Sequence, residues 1–199
     1  MTTPSPYLLD TNVYALLFQN QKTNTYANLL NKIKSGSEIT FFIPEIVSME
    51  IHSVLGKYRR GTGKAAQQPC TRNVIVANKP QQCAHICLFP AGNRINAKVF
   101  KAFQKLLSDI EAGRGFMKAQ ILSVGAVEIA FGKMLLTNYA DRYSFGSHDA
   151  LVAGTLLAAN KRGIDLTLIT SDKGLKAVCR EMKIKIYDPN LDELIGASI

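Results

Sequence analysis

The chain has 199 residues, 47% of them hydrophobic and 20% charged, which suits an ordered globular domain with a substantial core and excludes a disordered polar chain. No apolar run nears the ~20 residues that cross a bilayer, and residues 1–6 carry no basic n-region, so no membrane role is expected and the cytoplasm is the expected compartment. The formal net charge is +9, which favours a polyanionic partner. That excess is local. Ile51 to Ser108 holds no Asp or Glu and 10 Lys or Arg, while the rest holds 14 bases and 15 acids.

Tyr7-Leu8-Leu9 reads as a short strand ending in Asp10-Thr11-Asn12, followed by a helical pattern through Val13, Leu16 and Leu17. Ala27–Ile33 is amphipathic and stops at Ser35-Gly36. Ile39–Ile43 is a β-prone strand closed by Pro44. A helix is then predicted from Glu45 to about Leu55. On it Glu50 lies in line with Ile46 and Val54, which predicts a carboxylate facing the core.

Residues 57–93 lose helical period and gain Gly, Pro, Gln and Asn, so they read as a basic insertion within a single domain spanning 1–199. Arg60-Gly61-Thr62-Gly63-Lys64 is a basic loop, and Val74–Val76 is expected to pair with Ile86–Phe89 as a hairpin. Cys70, Cys83, His85 and Cys87 have zinc-ligand chemistry. However, Cys-Ala-His-Ile-Cys is spaced more tightly than structural zinc sites, and strand alternation explains it as well. Residues 94–112 predict a basic amphipathic helix. Ile95, Val99, Phe103, Leu106 and Ile110 form its packing stripe, and Arg94, Lys98, Lys101 and Lys105 a cationic ridge.

Gly113-Arg114-Gly115 breaks that helix, and Ser123–Ala140 forms the next. Ser147 is a predicted N-cap, with Asp149 in the first turn and Gly163 as the C′ stop of a helix that leads into the strand Leu166–Thr170. Asp149 shares a face with Val152, Ala153 and Leu156, an expensive place for a carboxylate without a partner. A turn at Ser171-Asp172, a helix over Gly174–Met182 and a strand over Ile184–Tyr187 complete an alternating pattern. That alternation predicts an α/β fold with a mainly parallel sheet.

In such sheets ligands bind outside the carboxyl ends of the strands. Asp10, Glu50, Asp149 and Asp172 are all placed to converge there. Acids that close repel unless a cation lies between them, and hard oxygen donors suit Mg²⁺ or Mn²⁺. Such ions activate water and stabilise the leaving oxygen of a phosphodiester. A phosphatase of the haloacid-dehalogenase type is disfavoured, because Asn12 stands where its general acid is needed.

Leu8-Leu9-Asp10-Thr11-Asn12-Val13, Ser48-Met49-Glu50-Ile51, Ser147-His148-Asp149-Ala150-Leu151-Val152-Ala153 and Leu168-Ile169-Thr170-Ser171-Asp172 resemble the successive motifs of PIN-domain nucleases. Within that superfamily the chain is most similar to VapC-type toxin ribonucleases, over roughly residues 7–57 and 120–189. The resemblance implies a PIN-like three-layer α/β fold and Mg²⁺- or Mn²⁺-dependent endoribonuclease activity that hydrolyses RNA with metal-activated water. It also implies a cognate antitoxin and a homodimer. Asp10, Glu50, Asp149 and Asp172 would be the catalytic metal-site acids, with Thr11, Asn12 and Ser171 in support. Lys57, Arg59, Arg60, Lys64, Arg94, Lys98, Lys101 and Lys105 are expected to bind RNA. The basic insertion is longer than compact toxins carry. A non-toxin RNA-processing nuclease and a catalytically inert RNA- or protein-binding PIN-like module are therefore the alternatives.

Overall fold

A computed structural model describes residues 6–17, 23–34, 41–61, 66–69, 73–76, 79–82, 86–89, 94–114, 117 and 119–195. The chain divides into two compact units, residues 1–52 with 103–199, and Ser53–Ala102.

In the first unit, β1 (Tyr7–Leu9) leads directly into α1 (Thr11–Leu16), and α2 is Asn24–Lys34. β2 (Phe41–Pro44) feeds α3 (Glu45–Arg60), whose last turns belong to the second unit. All four residues of β2 are buried, which its continuous apolar run requires.

The second unit adds β3 (Ala66–Pro69), β4 (Asn73–Val76), β5 (Lys79–Gln82) and β6 (Ile86–Phe89). β3 pairs antiparallel with β6, and β4 with β5. The expected pairing of Val74–Val76 with Ile86–Phe89 is therefore corrected. β4 pairs with the strand that follows it two residues later, with Val76 opposite Lys79, and a short closure costs less chain entropy than a longer one. Lys64, Cys70, Cys83 and His85 lie outside the described residues, as does the side chain of Cys87, so the two readings of the cysteine cluster lie outside them as well.

α4 (Ala97–Glu111) returns the chain to the first unit. It starts three residues later than predicted, so Arg94 precedes the helix and is not part of its ridge. Of the predicted packing stripe Ile110 is buried, Ile95, Phe103 and Leu106 are half-buried and Val99 is exposed, while Leu107, beside the stripe, is buried.

β7 (Ala119–Leu122), α5 (Ala126–Tyr139), α6 (Ser147–Lys161), β8 (Thr167–Ile169), α7 (Lys173–Glu181), β9 (Ile186–Asp188) and β10 (Glu193–Ile195) follow. The main sheet has the order β10-β9-β8-β1-β2-β7. Its five strands from β9 to β7 are parallel, and β10 adds an antiparallel edge. The expected mainly parallel α/β architecture is thus observed. β1 sits at its centre with Leu8 and Leu9 buried.

α5 and α6 approach at two glycines. A Cβ on Gly154 would stand 2.5 Å from the Glu128 carbonyl oxygen and 2.9 Å from the Gly132 nitrogen, so only hydrogen fits there. Gly163, at φ +87°, ends α6 in the left-handed conformation that its predicted C′ role demands. Among the described residues no helix is long and apolar enough to cross a membrane.

Candidate active site

The strand order reverses around β1: the chain leaves it for β2 on one side and comes back as β8 on the other. Such a switch point opens a crevice at the carboxyl edge of the sheet. Leu9 is in register with Ile169, and the Asp10 N–H donates to the Ile169 carbonyl at 3.1 Å. Asp10 and Thr170 therefore emerge side by side just beyond the edge.

Asp10 is 2% exposed and caps α1. Its Oδ1 accepts from the Thr11 N–H at 2.7 Å, and its Oδ2 accepts from the Thr170 hydroxyl at 2.8 Å. The Asn12 amide reaches Oδ2 at 3.5 Å. Burial pushes the Asp10 carboxyl up to about 6, against the lowering effect of these bonds, and the negative charge of Asp149 adds to the rise.

Asp149 stands in the first turn of α6, half-buried, on the face that also carries the fully buried Val152, Ala153 and Leu156. Its Oδ2 accepts from the Gly146 N–H at 3.0 Å. Gly146, not Ser147, is thus the N-cap. The predicted cap is corrected because the carboxylate at the third helical position reaches back and satisfies that donor, leaving Ser147 exposed. Burial raises the Asp149 carboxyl above the usual carboxylate range, and the charges of Asp172 and Glu50 raise it further.

Asp172 caps α7, with Oδ1 accepting from the Leu175 N–H at 2.8 Å, while its own N–H donates to the Thr170 hydroxyl oxygen at 3.0 Å. Glu50 is set differently from its prediction. The buried line of α3 is Val47, Ile51 and Leu55, and Ile46, Glu50 and Val54 form its half-buried shoulder. Glu50 is 42% exposed in its side chain and pairs with His148 Nε2 at 2.8 Å. One residue of register, about 100° around the helix, separates a core-facing acid from one at the rim.

Asp149 thus feels Asp10, Glu50 and Asp172 at once. Three of the four acids, Asp10, Asp149 and Asp172, also stand at helix N-termini, where the dipole favours negative charge. As placed, no group of three or more His, Cys, Asp or Glu among the described residues forms a ready-made cage for an ion. The donor chemistry nonetheless fits a hard divalent cation, since each acid offers carboxylate oxygens and the set carries mutual repulsion for a cation to relieve.

The supporting residues divide. Thr11 and Asn12 contact Asp10. Ser171 donates instead to Asp188 Oδ1 at 3.3 Å, within a buried cluster where Asp188 also pairs with Lys176. Two residues at the site escaped the sequence reading. Thr170 was legible in principle, because parallel register carries it level with Asp10 once β1 and β8 are neighbours. His148 carried no comparable signal, since its reach to Glu50 depends on how α3 and α6 meet.

Among the expected RNA-binding residues, Lys57, Arg60, Lys98 and Lys101 are exposed. Arg59 donates to the Ile95 carbonyl at 3.3 Å and Arg94 to the Arg59 carbonyl at 2.9 Å, so both hold backbone. Lys105 pairs with Asp109 at 2.9 Å.

No protein-family model matches the chain, and neither does any curated protein sequence. Solved structures do. FitAcB from Neisseria gonorrhoeae is similar at 17% identity and a TM-score of 0.53, over 92% of this chain and 97% of that one. A toxin-antitoxin complex from Klebsiella pneumoniae aligns at 15% identity and a TM-score of 0.46, over 84% of this chain and 88% of that one. DNA-bound VapBC from Salmonella typhimurium aligns at 15% and 0.46, over 93% and 98%. At 17% identity the likeness to FitAcB is one of fold, the α/β arrangement around a mainly parallel sheet.

Proposed function

We propose that the protein is a Mg²⁺- or Mn²⁺-dependent endoribonuclease that hydrolyses RNA phosphodiester bonds, and that it serves as the toxin of a toxin–antitoxin pair in the cytoplasm. The observation that supports the nuclease reading is the buried Asp10 at the switch point of the parallel sheet, within electrostatic reach of Asp149, which in turn feels Asp172 and Glu50. The toxin assignment, its antitoxin partner and a homodimer rest on the motifs that resemble VapC-type ribonucleases.

Asp10 and Asp149 would hold the cation, with Glu50 and Asp172 closing the set. When bound, the metal supplies Lewis-acid activation of water and neutralises charge on the scissile phosphate. The chain's own residues prepare for it. Thr11 and Thr170 fix the Asp10 carboxylate in one orientation, and with a pKa of about 6 it is mostly ionised at neutral pH. His148 holds Glu50 at the rim. Gly146 holds Asp149 through its backbone N–H.

The test is RNA cleavage with Mg²⁺ by the wild type and by Asp149→Asn, alongside thermal melting with and without the ion. The expected result is Mg²⁺-dependent cleavage and a Mg²⁺-induced rise in Tm, both lost in the variant. Full cleavage by Asp149→Asn refutes the assignment. A retained Mg²⁺ shift without cleavage by the wild type would favour the inert module, for which the Glu50–His148 pairing is the one supporting observation.

A further inference from the structure

The second unit, Ser53–Ala102, contains no Asp or Glu and nine Lys or Arg, so it carries the whole net charge of the protein, while the first unit is balanced. No internal counter-ion can neutralise it. Its arginines at 59 and 94 are occupied as struts between the end of α3 and the residues before α4, and the Ile95 N–H donates to the Tyr58 carbonyl at 3.1 Å. These bonds fix the frame around Tyr58.

Tyr58 itself is 58% exposed, although a ring of that size is normally worth burying. It stands between the exposed Lys57 and Arg60 on α3, and its backbone is tied to the segment that opens into Lys98 and Lys101 on α4, both exposed. Cations that follow a backbone, with an aromatic face among them, are the chemistry of single-stranded nucleic-acid binding. Stacking on a ring is tolerant of base identity, and the phosphates supply the affinity.

We propose that Tyr58, with Lys57 and Arg60 on the last turns of α3 and Lys98 and Lys101 on the first turns of α4, is a binding platform for single-stranded RNA in the inserted unit, with a base stacked on the Tyr58 ring. The proposal rests on the ribonuclease reading for its ligand. It assigns the insertion a grip on substrate through two kinds of contact, only one of which depends on salt. An unstacked base is required, so a duplex is a poor ligand.

The sequence has no Trp, so Tyr58→Trp provides a single fluorescent reporter. In an Asp10→Asn background, which removes cleavage from the measurement, oligouridylate should quench this fluorescence on binding, and heparin should bind without quenching. Tyr58→Ala should weaken oligouridylate binding about tenfold and leave heparin binding unchanged, while Tyr58→Phe should retain both. Lys98→Gln with Lys101→Gln should weaken both ligands and flatten the salt dependence for oligouridylate by about 1.4 in log–log slope. Equal quenching by heparin, unchanged affinity in Tyr58→Ala, or tighter binding of an RNA duplex would each overturn the platform. Because binding is read without turnover, failure of the nuclease reading appears separately, as absence of Mg²⁺-dependent cleavage by the wild type.

Discussion

Replacing Asp10 by Asn should stabilise the metal-free protein at neutral pH. Burial raises the Asp10 carboxyl from 3.8 to about 6, and a shift of about two units corresponds to roughly 3 kcal/mol of penalty on the ionised form. The folded protein holds this proton more tightly than the unfolded chain does. Stability from this group is therefore greatest at acid pH and falls as pH rises between 3.8 and about 6, the reverse of a salt-bridged carboxylate. An amide keeps the bond from the Thr11 N–H and can donate to the Thr170 hydroxyl, at a loss of about 1 kcal/mol relative to the charge-assisted pair. The net gain is about 2 kcal/mol above pH 7, or roughly 4–8 °C in Tm for a chain of this size. Thermal melting in EDTA at pH 8 and pH 4 measures it. The expected result is a gain at pH 8 that disappears at pH 4. A variant that melts no higher at pH 8, or that gains equally at both pH values, refutes the argument that burial sets the Asp10 pKa.

Two structural predictions use the rest of the unit. Gly154→Val should lower stability by about 2 kcal/mol or more, read as the denaturant midpoint, because its Cβ would meet the Glu128 carbonyl oxygen at 2.5 Å and force α5 from α6; an unchanged midpoint sinks that reading. Lys176→Met should cost about 3–5 kcal/mol by stranding Asp188, which is 1% exposed in its side chain, without its counter-charge. Adding Asp188→Asn to that variant should recover most of the loss, and a single-variant cost below about 1 kcal/mol would contradict the pairing.

The alternation of apolar runs with helical periods determined the α/β class, and with it the prediction that acids placed after strands meet at one sheet edge. That inference needs only local pattern and the rule that parallel sheets bind ligands beyond their carboxyl ends. Asp10, Asp149 and Asp172 were legible because each sits at a strand end or a helix start, positions fixed by the sequence within a residue or two. β7 and β10 were not legible. Strands of three or four residues have too little period to stand out, and they exist because a neighbouring strand accepts their hydrogen bonds.

Other features were decided only by tertiary structure. The nested hairpins of the insertion follow from which closure is shorter, a comparison that apolar content alone does not make. The basic residues look alike in the sequence, yet packing makes Arg59 and Arg94 into struts and leaves Lys57, Arg60, Lys98 and Lys101 in solvent. The same holds at the acids. Sequence placed Glu50 on a core-facing line, and the meeting of α3 with α6 instead set it at the rim against His148. Charge and period are properties of a chain, but the partner of a charged group is a property of the packed fold, because it depends on which distant segment arrives within about 3 Å.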